Sequence, residues 1–200
     1  MKNLVVGITG ASGSIYGLRL IEELLKKGHR VSVLLSNAGR QVLAFETSLK
    51  LAEKPTACLD QLQQHFSAGE ELQHFAINDF FASVASGSSA PDAVIICPCS
   101  MGTAGRIAAG LSDSLLERVA DVALKEQKKL LLVPRETPFN QIHLENLLRL
   151  SKAGAQILPA MPAFYQKPQS VENLIDFVVG KVLDSLEIDH QLFKRWGEDG

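Results

Sequence analysis

A three-layer α/β sandwich of Rossmann-like type, with a mostly parallel sheet and one domain over residues 1–200, is the fold this sequence predicts. Three observations carry that expectation. Short apolar runs alternate with longer stretches of helical spacing, the pattern of a parallel sheet covered on both faces. The first run passes into a turn of small residues, GITGASGSIYG at 7–17, and then into an amphipathic stretch. No internal repeat or linker divides the 200 residues, a length that supports one substantial core.

Along the chain, residues 4–8 read as a buried strand. Residues 15–27 have helical spacing, with Leu18, Ile21, Leu24 and Leu25 on one side. A second strand follows at 30–35 and a helix at 40–51, whereas 52–69 is polar and indistinct and reads as a helix-loop excursion. Residues 72–78 form a weak strand candidate; 93–97, 130–133 and 156–158 are stronger because they are short apolar runs. Between and after them, 115–128, 141–152 and 171–186 are helical, and SVASGSSAP at 83–91 is loop material.

Ligands of open parallel sheets bind beyond the carboxyl ends of the strands. Five such ends are readable: GASG, Ser36-Asn37-Ala38, PCSMGT, PRETP and PAMPAFY, which should converge on one rim. Strand, glycine-serine turn and helix can cradle a phosphate ester at GASG, because free amides and the positive helix end point the same way. The other reading is a glycine turn that merely packs a helix on a strand. The spacing Gly7-x-x-Gly10-x-x-Gly13, and Ser36 in place of an acidic residue after strand two, argue against a nicotinamide dinucleotide. No nucleoside triphosphate motif is present.

Ser100-Met101-Gly102-Thr103 is either a second anion or ring-edge cradle or an ordinary helix cap. Arg135 and Glu136, stiffened by Pro134 and Pro138, read as a rim pair for anion binding and proton transfer, or as a solvated ion pair. Arg118 and Lys125, seven apart on one helix face, present two cations to a phosphate or to water. Glu46, in the apolar stretch VLAFET, is expected to have a burial-raised pKa suited to acid-base work, unless it is exposed. His143 and His190 show no recognisable partners.

Composition excludes several classes. A hydrophobic content of 46% with 21% charge is that of a globular protein, and a net charge of −2 gives no reason to expect nucleic acid. No apolar run approaches a bilayer span and no signal segment is evident, so a cytoplasmic location is expected. Cys58, Cys97 and Cys99 read as small buried residues, since nothing completes a metal set.

Together, GITGASGSIYG, Ser36, Glu46, ASGS at 85–88, CPCSMGT, ERVADVALKE, LVPRETP, PAFYQKPQS and the final RWGE resemble the UbiX family of flavin prenyltransferases. The resemblance implies a metal-independent transferase that joins reduced FMN to dimethylallyl phosphate through flavin N5 and then C6. Its product, prenylated FMN, would serve a UbiD-type decarboxylase, in ubiquinone synthesis or in aromatic-acid breakdown. It implies that Gly10, Ala11, Ser12, Ser36, Ser100, Met101, Gly102, Thr103 and Arg135 hold FMN. Arg118, Lys125, Glu136, Tyr165, Lys181 and Trp196 would surround the prenyl group and its phosphate. Glu46, Ser12, Lys125, Glu136 and Tyr165 are the implied catalytic set, Glu136 protonating the departing phosphate and Glu46 assisting proton removal at C6. Family members usually carry Arg where this chain has Lys181, and the family forms dodecamers with sites between subunits. A flavin-dependent decarboxylase of a cysteine-containing substrate is the alternative, though it would usually place a histidine after strand two. A non-catalytic FMN carrier is the third reading.

Overall fold

Among the described residues, six strands, β1 (Asn3–Ile8), β2 (Arg30–Leu35), β3 (Leu72–His74), β4 (Ala93–Cys99), β5 (Lys129–Pro134) and β6 (Gln156–Ile157), form one sheet. It is seen in a computed structural model that describes residues 1–195. The order is β3-β2-β1-β4-β5-β6 and every pairing is parallel. The order reverses at β1, so the crevice beside its carboxyl end is the topological switch point where ligands of such sheets lie.

Among the described residues, seven helices cover the faces: α1 (Ser14–Lys26), α2 (Asn37–Glu46), α3 (Pro55–Phe66), α4 (Met101–Ala108), α5 (Leu115–Lys125), α6 (Gln141–Lys152) and α7 (Val171–Ser185). Strand alternation divides the core in two. Leu4, Val6 and Ile8 pack with α1, α3 and α7, whereas Val5, Val94 and Ile96 pack with α4 and α5. All three cysteines are buried and unpaired, as expected for small core residues.

The boundaries that differ have local causes. Helix α2 starts three residues before the expected 40, because the Ser36 hydroxyl accepts the Gly39 amide as a cap. It ends at Glu46 rather than 51, where the Thr47 hydroxyl donates back to the Leu43 carbonyl and accepts the Leu49 amide. The indistinct 52–69 region contains a full helix, α3, opened by Pro55 and burying only Cys58 and Leu62, so its apolar stripe is too narrow to show a period. Strand β3 is cut short after His74. Residues 83–89 form two short 3₁₀ turns.

Candidate functional site

Thr9, fully buried at the end of β1, fastens the first rim loop to the fourth strand. Its hydroxyl donates to the Pro98 carbonyl at 2.8 Å and accepts the Ser100 amide at 2.7 Å. Gly39 brings α2 against the same corner: a Cβ there would lie 2.3 Å from the Ile8 carbonyl oxygen. The fifth strand's loop closes the ring. The Arg135 guanidinium donates through Nε to the Ser12 carbonyl at 2.9 Å, and the Arg135 amide reaches the Cys99 carbonyl. GASG, Ser36, CPCSMGT and PRETP therefore share one rim, as the strand order requires.

Glu46, the last residue of α2, lies across the start of α1. Its carboxylate accepts the Gly13 amide at 2.9 Å and the Ser14 amide at 2.9 Å. Gly13 has φ of 103°, a left-handed geometry that favours glycine and turns its N–H toward the carboxylate. This overturns the expectation of a raised pKa. Partial burial pushes the carboxyl up, but hydrogen bonds from the Ser12 hydroxyl and the two amides outweigh it and hold Glu46 below its ordinary value. Glu46 is therefore an anion at neutral pH, able to accept a proton. The Gly13 and Ser14 amides at the start of α1 are taken by Glu46 and are not open to a phosphate in this conformation.

The capping hydroxyls stand on either side of the switch point, Ser36 after β2 and Ser100 after β4. Ser36 caps α2, and Ser100 caps α4 by accepting the Thr103 amide at 3.2 Å, with the Thr103 hydroxyl 3.0 Å from Ser100 Oγ. Met101 is buried and packs inward, so it presents only its backbone to the rim. Glu136 is half-buried and accepts the Thr137 amide at 3.0 Å. Among the described residues, no cluster of three or more His, Cys, Asp or Glu side chains is placed to hold a metal ion. A groove of about 690 Å³ has Ile15, Leu18, Thr47, Leu49 and Phe66 among its lining residues. It contains none of the rim hydroxyls or Arg135, so the polar chemistry lies beside it rather than within it.

Of the expected phosphate-binding residues, Glu136 sits on this rim, whereas Lys125 does not reach it within one chain. Helix α5 runs back from the rim, and its last residue, Lys125, stands just before β5 begins, at the opposite end of the sheet. Arg118, in the first turn of α5, donates to the Ala85 carbonyl at 3.3 Å, and at the far end the Lys125 ammonium pairs with Glu126 against Gly87. Lys181, well along α7, pairs with Asp184 at 3.4 Å. Tyr165 follows the β6 loop and stacks edge-on against Phe177, ring centroids 5.9 Å apart. Trp196 lies outside the described residues.

Sequence reasoning did not single out Thr9 as the clasp, or the pair Arg106 and Glu117 behind Thr103. Glu117 is buried, in a capping box with Ser114, and takes the Arg106 guanidinium. The S-x-x-E spacing at 114–117 was the available signal, and it reads as a helix start only.

A parallel sheet whose switch-point rim gathers hydroxyls, glycines and one guanidinium defines a nucleotide-binding α/β protein. The family model described as Flavoprotein matches residues 1–183. The chain is 53% identical to a flavin prenyltransferase UbiX of Halalkalibacterium halodurans, across 97% of this chain and 93% of that protein. It is 50% identical to one of Pseudomonas aeruginosa, across 98% and 95%. The crystal structure of AnUbiX (PadA1) in complex with FMN and dimethylallyl pyrophosphate superposes with a TM-score of 0.88 at 37% identity, covering 100% of this chain and 99% of that one. A dodecameric FMN-dependent Ubix-like decarboxylase from Escherichia coli O157:H7 gives 0.86 at 36% identity, covering 97% and 98%. The chain belongs to the flavoprotein family and, within it, to the UbiX flavin prenyltransferases.

Proposed function

We propose that this chain transfers a dimethylallyl group from dimethylallyl phosphate to N5 and then C6 of reduced FMN, releasing inorganic phosphate and prenylated FMN. The observation that carries the reading is the rim on which Thr9, Glu46, Ser100 and Arg135 tie four loops together beside the switch point. Reduced FMN supplies the electron-rich N5 and C6 that are alkylated. The rim fits a flavin nucleotide: the Ser12, Ser36 and Ser100 hydroxyls and the Arg135 guanidinium stand on the loops that meet there.

Gly10, Ala11 and Ser12 offer backbone and a small hydroxyl to the ring edge. Ser36, Ser100 to Thr103 and Arg135 supply donors to its carbonyl or phosphate oxygens. Glu46, held ionised, takes the proton lost when C6 is alkylated, with Ser12 at its side. Arg118, Lys125, Tyr165 and Lys181 hold the departing phosphate, and Glu136 protonates it. No divalent ion is needed, because the leaving group is a monoester and its charge is met by these cations.

Lys125 lies at the far end of the sheet from Glu46, so a second copy must bring it to the flavin rim. Exposed Phe45, Phe81, Ile142, Leu148 and Phe164 provide the apolar surface for such assembly, which we take to be a dodecamer. Prenylated FMN then passes to a UbiD-type decarboxylase. No helix among the described residues is long and apolar enough to cross a membrane, and three free thiols fit a cytoplasmic setting. Neither nucleic acid nor membrane is a partner in this reading.

Anaerobic incubation with reduced FMN and dimethylallyl phosphate, analysed by mass spectrometry, tests it. A flavin adduct heavier by one C5H8 unit is expected. Bound but unmodified FMN would favour the carrier reading, and carbon dioxide release from a peptide cysteine would favour the decarboxylase. A parallel incubation with the diphosphate reads leaving-group preference.

A further inference from the structure

Behind the Ser100 hydroxyl lies a hydrogen-bonded chain that ends on a buried charge. Glu117, 2% exposed, accepts the Asp113 amide at 2.9 Å and the Ser114 amide at 3.0 Å on one oxygen and the Arg106 guanidinium on the other. Despite burial, those donors keep the Glu117 carboxyl below its ordinary value, so the pair is ionic at neutral pH. Arg106 then reaches past Glu117 with Nη2, which donates to Thr103 Oγ1 at 3.4 Å.

The direction of the next bond follows from what each group can do. A guanidinium only donates, so Thr103 must accept from Arg106. The Thr103 hydroxyl is 1% exposed and its neighbouring acceptor is Ser100 Oγ at 3.0 Å; a buried proton left without an acceptor is costly. Thr103 therefore donates to Ser100. Ser100 Oγ also takes the Thr103 amide, which fills both of its lone pairs. Its own proton is left to point out of the helix cap toward the rim, where Ser100 is half-exposed.

We propose that Arg106, anchored by Glu117, is a positioning residue that makes Ser100 an obligate proton donor to an acceptor oxygen of the flavin nucleotide. This rests on the reading that Ser100 to Thr103 hold FMN. Without Arg106, Thr103 and Ser100 can exchange donor and acceptor roles, and the cap loses its preset direction.

The test is FMN affinity, read by quenching of flavin fluorescence, for wild type, Ser100→Ala, Arg106→Gln, the pair Arg106→Gln with Glu117→Gln, and Arg106→Gln with Ser100→Ala. The paired Gln variant removes the buried charge together with its partner and keeps the measurement possible if Arg106→Gln alone fails to fold. Arg106→Gln, or the paired Gln variant where the single one does not fold, is expected to bind FMN about tenfold more weakly. Adding Arg106→Gln to Ser100→Ala is expected to cost nothing further, a coupling that a merely structural role would not produce. Repeating the titration with riboflavin locates the acceptor: the effect persists for a ring oxygen and vanishes for a phosphate oxygen. Wild-type affinity in the Arg106 variants, or an effect additive with Ser100→Ala, overturns the proposal while leaving flavin binding intact. Wild-type affinity in Ser100→Ala overturns it together with the assigned role of Ser100.

Discussion

The carboxylate of Glu46 and the amide of Gly13 meet at 2.9 Å, so the end of α2 closes the start of α1. One side chain thus fixes the first rim loop, and in the proposed reaction its ionised carboxylate is the base. Glu46→Gln keeps an acceptor for the two amides but removes the base. Flavin binding should change little, while the rate of adduct formation should fall by about 10²- to 10⁴-fold, read by stopped-time mass spectrometry.

The same contact has a pH signature. Glu46 has a lowered folded pKa, so its contribution to stability is present above the unfolded value of 4.5 and is lost as pH falls through the lower folded one. Comparing apo melting temperatures of wild type and Glu46→Gln should show wild type the more stable at neutral pH. The difference should close in acid below that unfolded value. It should be small, because the carboxylate is largely solvated.

Arg135 joins the fifth loop to the first through the Ser12 carbonyl. Hydrogen bonds from a charged donor contribute about 1.5–3 kcal/mol, so Arg135→Ala should weaken FMN binding roughly 10- to 100-fold in a fluorescence titration. Arg135→Lys should recover only part of the loss, since an ammonium cannot reproduce the fork that serves both Ser12 and an anion.

Lys181 offers one ammonium, which in the free chain rests on Asp184. Lys181→Arg should lower the KM for dimethylallyl phosphate roughly 3- to 10-fold through bidentate contact, with kcat little changed, in initial-rate measurements. A rise in KM would mean that the Lys181 pocket is shaped for the smaller head group.

The sheet was legible because buried parallel strands such as β1, β4 and β5 are short unbroken apolar runs, and their carboxyl ends name the rim. Helix α3 was hidden because it buries only Cys58 and Leu62 in a polar stretch. The sign of the Glu46 shift was illegible for a different reason: apolar neighbours in sequence suggest burial, while the deciding donors, Gly13 and Ser14, come from another element. Arg106 and Glu117 were hidden in the same way, since the i,i+11 pairing that ties α4 to α5 leaves no periodic trace. The far-end position of Lys125 follows from helix direction, which the sequence does reveal: seven residues of helix separate it from Arg118 by about 10 Å, leading away from the rim.

That separation supplies the most direct test of the divided site. Arg135→Ala carries its defect on the flavin rim, and Lys125→Ala carries it at the opposite end of the sheet. Each variant is purified alone, and the two are then dissociated, mixed, reassembled and assayed for the C5H8 adduct. The account predicts little adduct from either variant alone and recovered adduct formation in the mixture, because mixed assemblies contain sites built from one intact rim and one intact Lys125. A mixture that reassembles to the wild-type size yet makes no more adduct than its parents would contradict it.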